Sequence, residues 1–365
     1  MLDVIRTIHP IGQGGFVSEY LPCSDHLVVY DCGTSTKLDK KYVYSIFDSL
    51  PKRGIDILFI SHFDEDHVSL IPELKKRRHI RRVVVPLMND VAKALLFCLA
   101  KDSQVREMIY DPASYFPESR VTQVKQFLEG ESASQFINEE DLGSSIKSNT
   151  PIKCNVRGGE ECGWEYIPFN FEQSARQSLF VQECKSKHID VDRLGDVDYV
   201  SGKTDEIRNA YKSLRRHKQG TINQNSMLLY SGALAPADLT TIKWRNVSIP
   251  PPQGFEPCFG RGMVHISETA CLYTGDCDWS TVHVFHDYLG EKRQKHIGLL
   301  QTPHHGSKGS YNRAAHEFLT SLEVDCFVQF GSKNNHGHPC MKVMCASRQA
   351  FMVTEKGVGI YPANW

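Results

Sequence analysis

Residues Ser61 to His67 read Ser-His-Phe-Asp-Glu-Asp-His, which packs two histidines and three carboxylates into six positions. They follow directly on Ile55-Asp56-Ile57-Leu58-Phe59-Ile60, an apolar run that reads as a buried strand. The turn then lies at the carboxyl end of that strand, where open α/β sheets place their sites. His62 and Asp64, two apart, can point the same way from an extended loop. Asp66 and His67 open an amphipathic stretch, Val68 to Arg78, and can face a second point nearby. Four metal-binding groups in two pairs suggest a pair of cations. A polar loop with Asp66 capping a helix explains one of the four and leaves the other three unexplained.

The second half of the chain supplies more donors. Tyr273-Thr274-Gly275-Asp276 ends a predicted strand with Asp276 at its tip. A further strand, Leu299 to Thr302, leads into Pro303-His304-His305-Gly306-Ser307, and Gln329-Phe330-Gly331-Ser332 leads to Asn335-His336-Gly337-His338-Pro339. A lone Asp or His at a strand end is usually a hydrogen-bonded structural residue. Three tips of one strand-to-loop type argue for a shared site. Asp276 fits a carboxylate bridging two cations, and His304 or His305 fits a ligand to the second. His283 and His286, at i,i+3 on a predicted helix, read as surface or core residues.

The elements that must position these loops alternate. Strands are expected over His26–Tyr30, Ile57–Ile60, Arg82–Pro86, Ser226–Tyr230, Ala270–Tyr273, Ile297–Thr302 and Cys326–Phe330. Helices are expected over Lys41–Leu50, His67–Arg77, Val91–Ala100, Asp205–His217, Thr281–Leu289, Asn312–Leu322 and Met341–Ala350. Strand-then-helix alternation in both halves predicts an α/β layered fold. Two stretches break the rhythm and read as insertions on one compact domain spanning 1–365. One covers about 101–220, polar and weakly periodic; the other, 233–262, carries Ile249 and three prolines in a row.

Composition excludes several classes. A net charge of -1 over 365 residues gives no bulk attraction to nucleic acid or anionic membrane, so any polyanion contact must be local. No 18-residue apolar stretch exists, so no transmembrane helix is expected. The first residues lack a signal peptide's basic region and apolar core, which makes the cytoplasm the expected address. The 12 cysteines form no CxxC pair and read as reduced, mostly buried residues. Cys154 and Cys162 flank a Gly-Gly turn and could clip a surface zinc with partners elsewhere, although their spacing fits no tetrahedral pattern.

Taken together the motifs resemble the metallo-β-lactamase fold, and within it the hydrolase domain of ComEC-type competence proteins. The matching pieces run in order: Ile11-Gly12-Gln13-Gly14, Val28-Val29-Tyr30-Asp31-Cys32-Gly33, the Ser61–His67 turn, Asn223-Gln224-Asn225-Ser226, Tyr273–Asp276, Pro303–Ser307 and Asn335–Pro339. The resemblance implies an αββα sandwich with a binuclear metal site at one edge. By position, His62 and Asp64 would hold the first metal and Asp66 and His67 the second. Asp276 would bridge them, and one of His304 and His305, with His304 favoured, would complete the second site. Asp31 looks like an aspartate that orients ligands without binding metal. Most of the superfamily has histidine at position 64 and another near Asn225; ComEC-like members share the Asp and the Asn-Ser. Without membrane helices, the chain is not expected to be a DNA channel.

An oxygen-rich first site suits harder ions, so Mn²⁺ is expected to compete with Zn²⁺ for the two divalent positions. Such a pair acidifies a water and stabilises charge on an attacked ester. His336 or His338 could then donate a proton to the leaving oxygen, unless their turn only caps nearby carbonyls. Two basic runs could track a phosphate backbone. Lys75 to Arg82 closes a helix and reads first as solvated charge. Arg215-Arg216-His217-Lys218, nearer the predicted site, is the better substrate contact. The expected activity is a nuclease or phosphodiesterase. The alternatives are hydrolysis of a small ester, lactone or nucleotide signal, and a partner-gated component of a larger, antiphage-type assembly with an ATPase partner. A β-lactamase is not expected, because the chain shows no export signal and its first site is not a three-histidine site.

Overall fold

Short runs rich in Val, Ile, Phe and Tyr, each stopped by a polar or glycine turn, build two sheets. The computed structural model describes residues 4–128, 135–155, 161–171, 174–214, 226–234, 270–309 and 311–362. The first sheet orders β1 (Ile5–Ile8), β2 (Phe16–Leu21), β3 (His26–Cys32), β4 (Ile55–Phe59), β5 (Ile80–Pro86) and β6 (Arg120–Val124) side by side. The second begins at β7 (Ile137–Asn138), while the short β8 (Ser145–Ile146) returns to the edge of the first beside β6. From β7 the second sheet continues through β9 (Ile152–Asn155), β10 (Glu161–Asn170), β11 (Met227–Ala233), β12 (Ala270–Tyr273), β13 (Ile297–Gln301), β14 (Asp325–Gln329), β15 (Gln349–Thr354) and β16 (Gly357–Pro362).

Each sheet is mixed. In the first, β3 to β6 run parallel; in the second, β12 to β15 do. Parallel neighbours need crossovers, and helices provide them. In the first half these are α1 (Lys40–Ser49), α2 (Glu65–Val68), α3 (Ile71–Arg77), α4 (Asp90–Leu99), α5 (Ser103–Tyr110) and α6 (Pro112–Tyr115). After α7 (Ser174–Ser186), α8 (Val197–Gly202) and α9 (Thr204–Leu214), the second half uses α10 (Trp279–Gln294), α11 (Arg313–Leu322) and α12 (Met341–Met344). Side-chain caps start several of them: Asp39 accepts from the Lys41 N–H, and Asn312 from the Ala315 N–H.

Three apolar layers follow. Val17, Tyr30, Phe59, Trp164, Leu229 and Tyr273 pack between the sheets. A second cluster joins the first sheet to its helices through residues such as Leu58, Phe47 and Leu74, and a third joins the second sheet to α10 and α11 through Leu300, Phe285 and Leu319. This is the αββα arrangement, and both sets of parallel strands turn into the same group of loops.

A polar knot sits inside the layer between the sheets. Glu19 of β2 shares the inward face with Val17 and Leu21 and is only 3% exposed. Its Oε1 accepts from Arg6 Nε and from the Tyr273 hydroxyl, each at 2.5 Å. Its Oε2 accepts from Ser231 Oγ at 2.6 Å and from the Tyr166 hydroxyl at 3.0 Å. All four donor side chains are buried. The carboxylate is thereby satisfied from both sheets at once.

The stretch 101–220 differs from its reading as an insertion. Strands β6 to β10 arise within it and extend the two sheets; the helices α7 to α9 pack with α4 into a separate cluster containing Phe97, Phe180 and Ile207. The helix expected over Met341–Ala350 stops at Met344. From Gln349 the chain is strand β15, where Phe351 and Val353 face the layer between the sheets. The helix expected over His67–Arg77 divides into α2 and α3 around Ser69–Leu70, ahead of Pro72. Nearly all of 233–262 lies outside the described residues.

Candidate metal centre

The loops that leave β3, β4, β12, β13 and β14 meet at one edge of the sandwich. Asp31, one residue from the end of β3, has φ 55° and is fully buried. Its Oδ1 accepts from the Ser61 N–H and its Oδ2 from Ser61 Oγ, both at 2.7 Å. Oδ2 also lies 2.8 Å from His67 Nδ1. With Nδ1–H donated to Asp31, His67 turns its Nε2 lone pair inward, the arrangement by which a carboxylate orients a metal-binding imidazole.

Each neighbouring imidazole is anchored the same way. Ser61 Oγ, already donating to Asp31, accepts from His62 Nδ1 at 2.9 Å, and Ser226 Oγ stands 3.2 Å from that nitrogen. His305 Nδ1 donates to the Gln329 carbonyl at 2.8 Å. The Gln329 side chain is itself fixed by the carbonyls of His9 and Phe16. The Nε2 atoms of His62 and His67 are buried without hydrogen bonds. Buried nitrogens left so are costly, and a cation is what their lone pairs would take.

Donor atoms of Asp66, His67, Asp276 and His305 lie within 4.8 Å of one another. Asp276 Oδ1 is 3.2 Å from His67 Nε2 and 3.4 Å from His305 Nε2, while Asp66 Oδ2 is 3.2 Å from His305 Nε2. The other oxygen of Asp276 faces His304 Nε2 at 4.0 Å. His62 Nε2 stands 4.0 Å from Asp64 Oδ2, and the His62 and His67 rings are 4.1 Å apart. Burial pushes the Asp276 pKa up, but His305, His67 and His304 outweigh it and hold the carboxyl well below the usual range. Burial, then the neighbouring His67, pushes His62 down to about 3, leaving it a neutral imidazole, the form that binds metal. Burial pushes His67 and His305 down, but Asp276 with Asp31 and Asp66 outweighs it and holds both up, so a divalent cation taken by these donors would displace their Nε2 protons.

Glycines make the close packing possible. A Cβ on Gly33 would lie 2.3 Å from the His67 carbonyl carbon and from the Val68 nitrogen, and one on Gly15 would lie 2.7 Å from His67 Nδ1. The chain comes this near to His67 only because neither residue has a side chain. His304 and His305 both hold positive φ, at 50° and 53°. Backbone in this region costs about 1–3 kcal/mol per residue and is typical of sites where surrounding structure over-determines it.

The family model of the metallo-beta-lactamase superfamily matches residues 24–116, the stretch that carries Asp31 and the Ser61–His67 turn. That stretch matches the superfamily, and the chain has the metallo-beta-lactamase fold. Among solved structures it is similar to a mutant of the CmlA beta-hydroxylase, at 12% identity and a TM-score of 0.38. That match covers 93% of this chain and 47% of the other, so the chain spans about half its length. It is also similar to the metallo-beta-lactamase fold protein YhfI from Bacillus subtilis, at 9% identity and a TM-score of 0.37, over 99% of both chains. No curated protein matches.

Within this metallo-beta-lactamase fold, Asp31, His62, Asp64, Asp66, His67, Asp276, His304 and His305 all come together. Of the two adjacent histidines, it is His305 whose Nε2 joins Asp66 and His67; the sequence favoured His304, which instead approaches the far oxygen of Asp276. His338 lies next to them, its ring centroid 5.7 Å from that of His304 and 6.3 Å from that of His305. Burial and the imidazoles of His305 and His304 push it down to about 4. His336 stacks on its exposed side at 5.6 Å. Asn225, Arg215 and Arg216 lie outside the described residues.

The basic run 75–82 divides: Lys75, Lys76, Arg77 and His79 stay exposed, whereas its other arginines are held by groups within the protein. Arg78 donates to carbonyls that end α1, including Phe47 at 2.7 Å; Arg77 pairs with Asp48; Arg81 and Arg82 pair with Glu139 and Glu140. No described helix is long and apolar enough to cross a membrane. Ser61, Ser226 and Gln329 are positioning residues that motif reading did not assign. Ser61 adjoins the turn and was within reach, but nothing local marks Gln329, which acts on a histidine 24 positions away.

If Asp31 orients His67 for a cation, Asp31→Asn should weaken metal binding by about 10–100-fold, as loss of such supporting carboxylates does. Asparagine tolerates positive φ, so the backbone turn should persist. Competition with a chelating dye on the folded variant measures this. Unchanged affinity would remove Asp31 from the centre.

Proposed function

We propose that the chain is a metal-dependent hydrolase that cleaves phosphodiester bonds, with nucleic acid as the substrate class. The reading is carried by Asp276, whose two oxygens face different donors: His67 and His305 on one side, His304 on the other. Asp66, His67 and His305 would hold one cation with Asp276, while His62 and Asp64 would contribute to a second. Bound there, two divalent ions supply Lewis acidity and an acidified water. Mixed carboxylate and imidazole donors favour Mn²⁺ or Zn²⁺ over softer ions.

The chain's own residues supply orientation and proton handling. Asp31, Ser61 and Gln329 fix three imidazoles before any substrate arrives, so little reorganisation is needed at reaction. His338, neutral and with a buried Nδ1 lacking a partner, would accept a proton during attack and pass it to the leaving oxygen. Pro86, Leu87, Met88 and Phe171 wall a pocket that opens beside His62 and Asp64. That apolar wall also favours a second reading, hydrolysis of a small ester, lactone or nucleotide signal. The ComEC-like relationship is proposed from the sequence motifs alone, and a partner-gated role beside an ATPase is a separate reading that rests only on that resemblance.

The test begins with metal analysis of protein purified without chelator. The stripped chain is then reconstituted with Mn²⁺ or Zn²⁺ and offered single- and double-stranded DNA, RNA, a generic phosphodiester and a lactone. Cleavage of at least one phosphodiester, supported by Mn²⁺, is expected. Lactone hydrolysis alone would transfer the assignment to the second reading. No cleavage with either ion would overturn both.

A further inference from the structure

At the opposite end of β3 from Asp31, three more metal-donor side chains converge. His26 is the first residue of β3, Glu139 opens the single 3-10 turn after β7, and Cys154 lies in β9. Their exposures are 3%, 0% and 2%. One donor atom from each lies within 4.8 Å of the other two. His26 and Asp31 are five residues apart on an extended strand, roughly 16 Å. The cluster is therefore separate from the centre described above.

Packing alone does not account for it. His26 Nε2 and Glu139 Oε2 face each other at 3.4 Å, yet both are buried without a hydrogen bond. Leaving such atoms unsatisfied costs about 1–3 kcal/mol each. The remaining atoms of these groups are occupied. Glu139 Oε1 takes Arg81, with Arg82 Nε 3.6 Å away, and His26 Nδ1 faces Asp56 Oδ2 at 3.6 Å. Asp56 is held in turn by Arg53 at 2.7 Å and by the Leu27 N–H at 2.9 Å. A carboxylate behind the far nitrogen of a histidine is the support a metal-binding imidazole uses.

Charge and spacing agree. The paired groups around the cluster are Arg53, Arg81 and Arg82 against Asp25, Asp56, Glu139 and Glu140. They leave one negative charge in excess, and ionised Cys154 would make two, matching one dication. Zinc bonds of about 2.0–2.3 Å in a tetrahedron set donors roughly 3.3–3.8 Å apart. The His26–Glu139 separation is already one such edge.

We propose that His26, Glu139 and Cys154 form a structural metal centre for a thiophilic dication of the zinc class. Binding displaces the thiol proton of Cys154 to solvent and joins its sulfur to the ion. Because His26 belongs to the first sheet and Cys154 to the second, the ion would clasp the sheets together at the end remote from the catalytic loops. It would also pin the turn that carries Glu139. The inference does not depend on the proposed reaction.

Cobalt(II) tests it on the full chain. The donors at the catalytic loops are nitrogen and oxygen, so a thiolate-to-cobalt charge-transfer absorption in the near ultraviolet reports a cysteine-containing centre. We expect that absorption in the wild type, its loss together with one metal equivalent per chain in Cys154→Ser, and its retention in Asp276→Ala. Glu139→Gln keeps the thiol and the side-chain shape, and should weaken cobalt binding at least tenfold. It serves as the variant of record if Cys154→Ser does not fold. Folded, cobalt-loaded wild type without the absorption overturns the proposal. So does an absorption that survives in Cys154→Ser, or unchanged affinity in Glu139→Gln.

Discussion

Asp276→Ala is expected to eliminate phosphodiester hydrolysis and to lower the metal bound at the catalytic loops, while the fold remains. Among the described residues, Asp276 is the one whose separate oxygens approach His67 and His305 on one side and His304 on the other. Its removal takes a donor from the four-residue cluster and leaves His67 Nε2 without its facing carboxylate, while His305 keeps only Asp66. Losing an outer, orienting partner already costs about 10–100-fold. A shared donor should cost more than about 100-fold, or roughly 2.7 kcal/mol of barrier. The side chain lies at a strand tip in a loop rather than in any apolar cluster, so secondary structure by circular dichroism should match the wild type. Metal content by mass spectrometry and turnover on whichever substrate the wild type cleaves are the two readouts. Full activity with full metal content would show that Asp276 is not a ligand at all.

The largest effect on stability is expected from Glu19→Ala. The variant leaves the Arg6 guanidinium buried between the sheets without its carboxylate, and strips acceptors from Tyr166, Ser231 and Tyr273. Breaking a buried pair from one side costs about 3–5 kcal/mol, a large part of the roughly 5–15 kcal/mol that holds a typical domain folded. Denaturant titration of Arg6→Met, Glu19→Leu and the double variant separates pair from packing. Replacing Arg6 by Met and Glu19 by Leu together should recover most of the loss, because apolar residues of similar volume leave no charge behind. A loss below about 1 kcal/mol for Glu19→Ala would mean that water reaches Arg6.

The same residue explains where sequence reading stopped short. Strand β2 reads Phe-Val-Ser-Glu-Tyr-Leu, and a glutamate at an inward position hides the buried face from any apolar pattern. Strand β10 carries Pro168 and Glu165, yet Glu165 is buried because Arg293, 128 residues on, holds it at 2.6 and 3.0 Å. Polar residues whose partners are that distant look like loop when read locally, which is why 101–220 read as an insertion. By contrast β4, β12 and β13 are mostly apolar runs, legible alone, and they lead into the candidate donors. The layered fold and the residues that assemble at its edge were therefore readable. The choice of His305 over His304 was not. It depends on which imidazole meets the Gln329 carbonyl, and neighbouring identical residues carry no mark of that.

The loops of the candidate metal centre issue from both sheets, which bears on the order in which the molecule matures. His62 and Asp66 belong to the first sheet's loops, Asp276 and His305 to the second's, more than 200 positions later in the chain. Contacts so far apart in sequence are among the last to form, because the loop between them must be closed first. A nascent chain with only its first half folded offers an incomplete donor set, too poor to hold ions firmly. If the loops bind ions as proposed, metallation would be a terminal event of maturation, and activity would wait until both sheets have assembled.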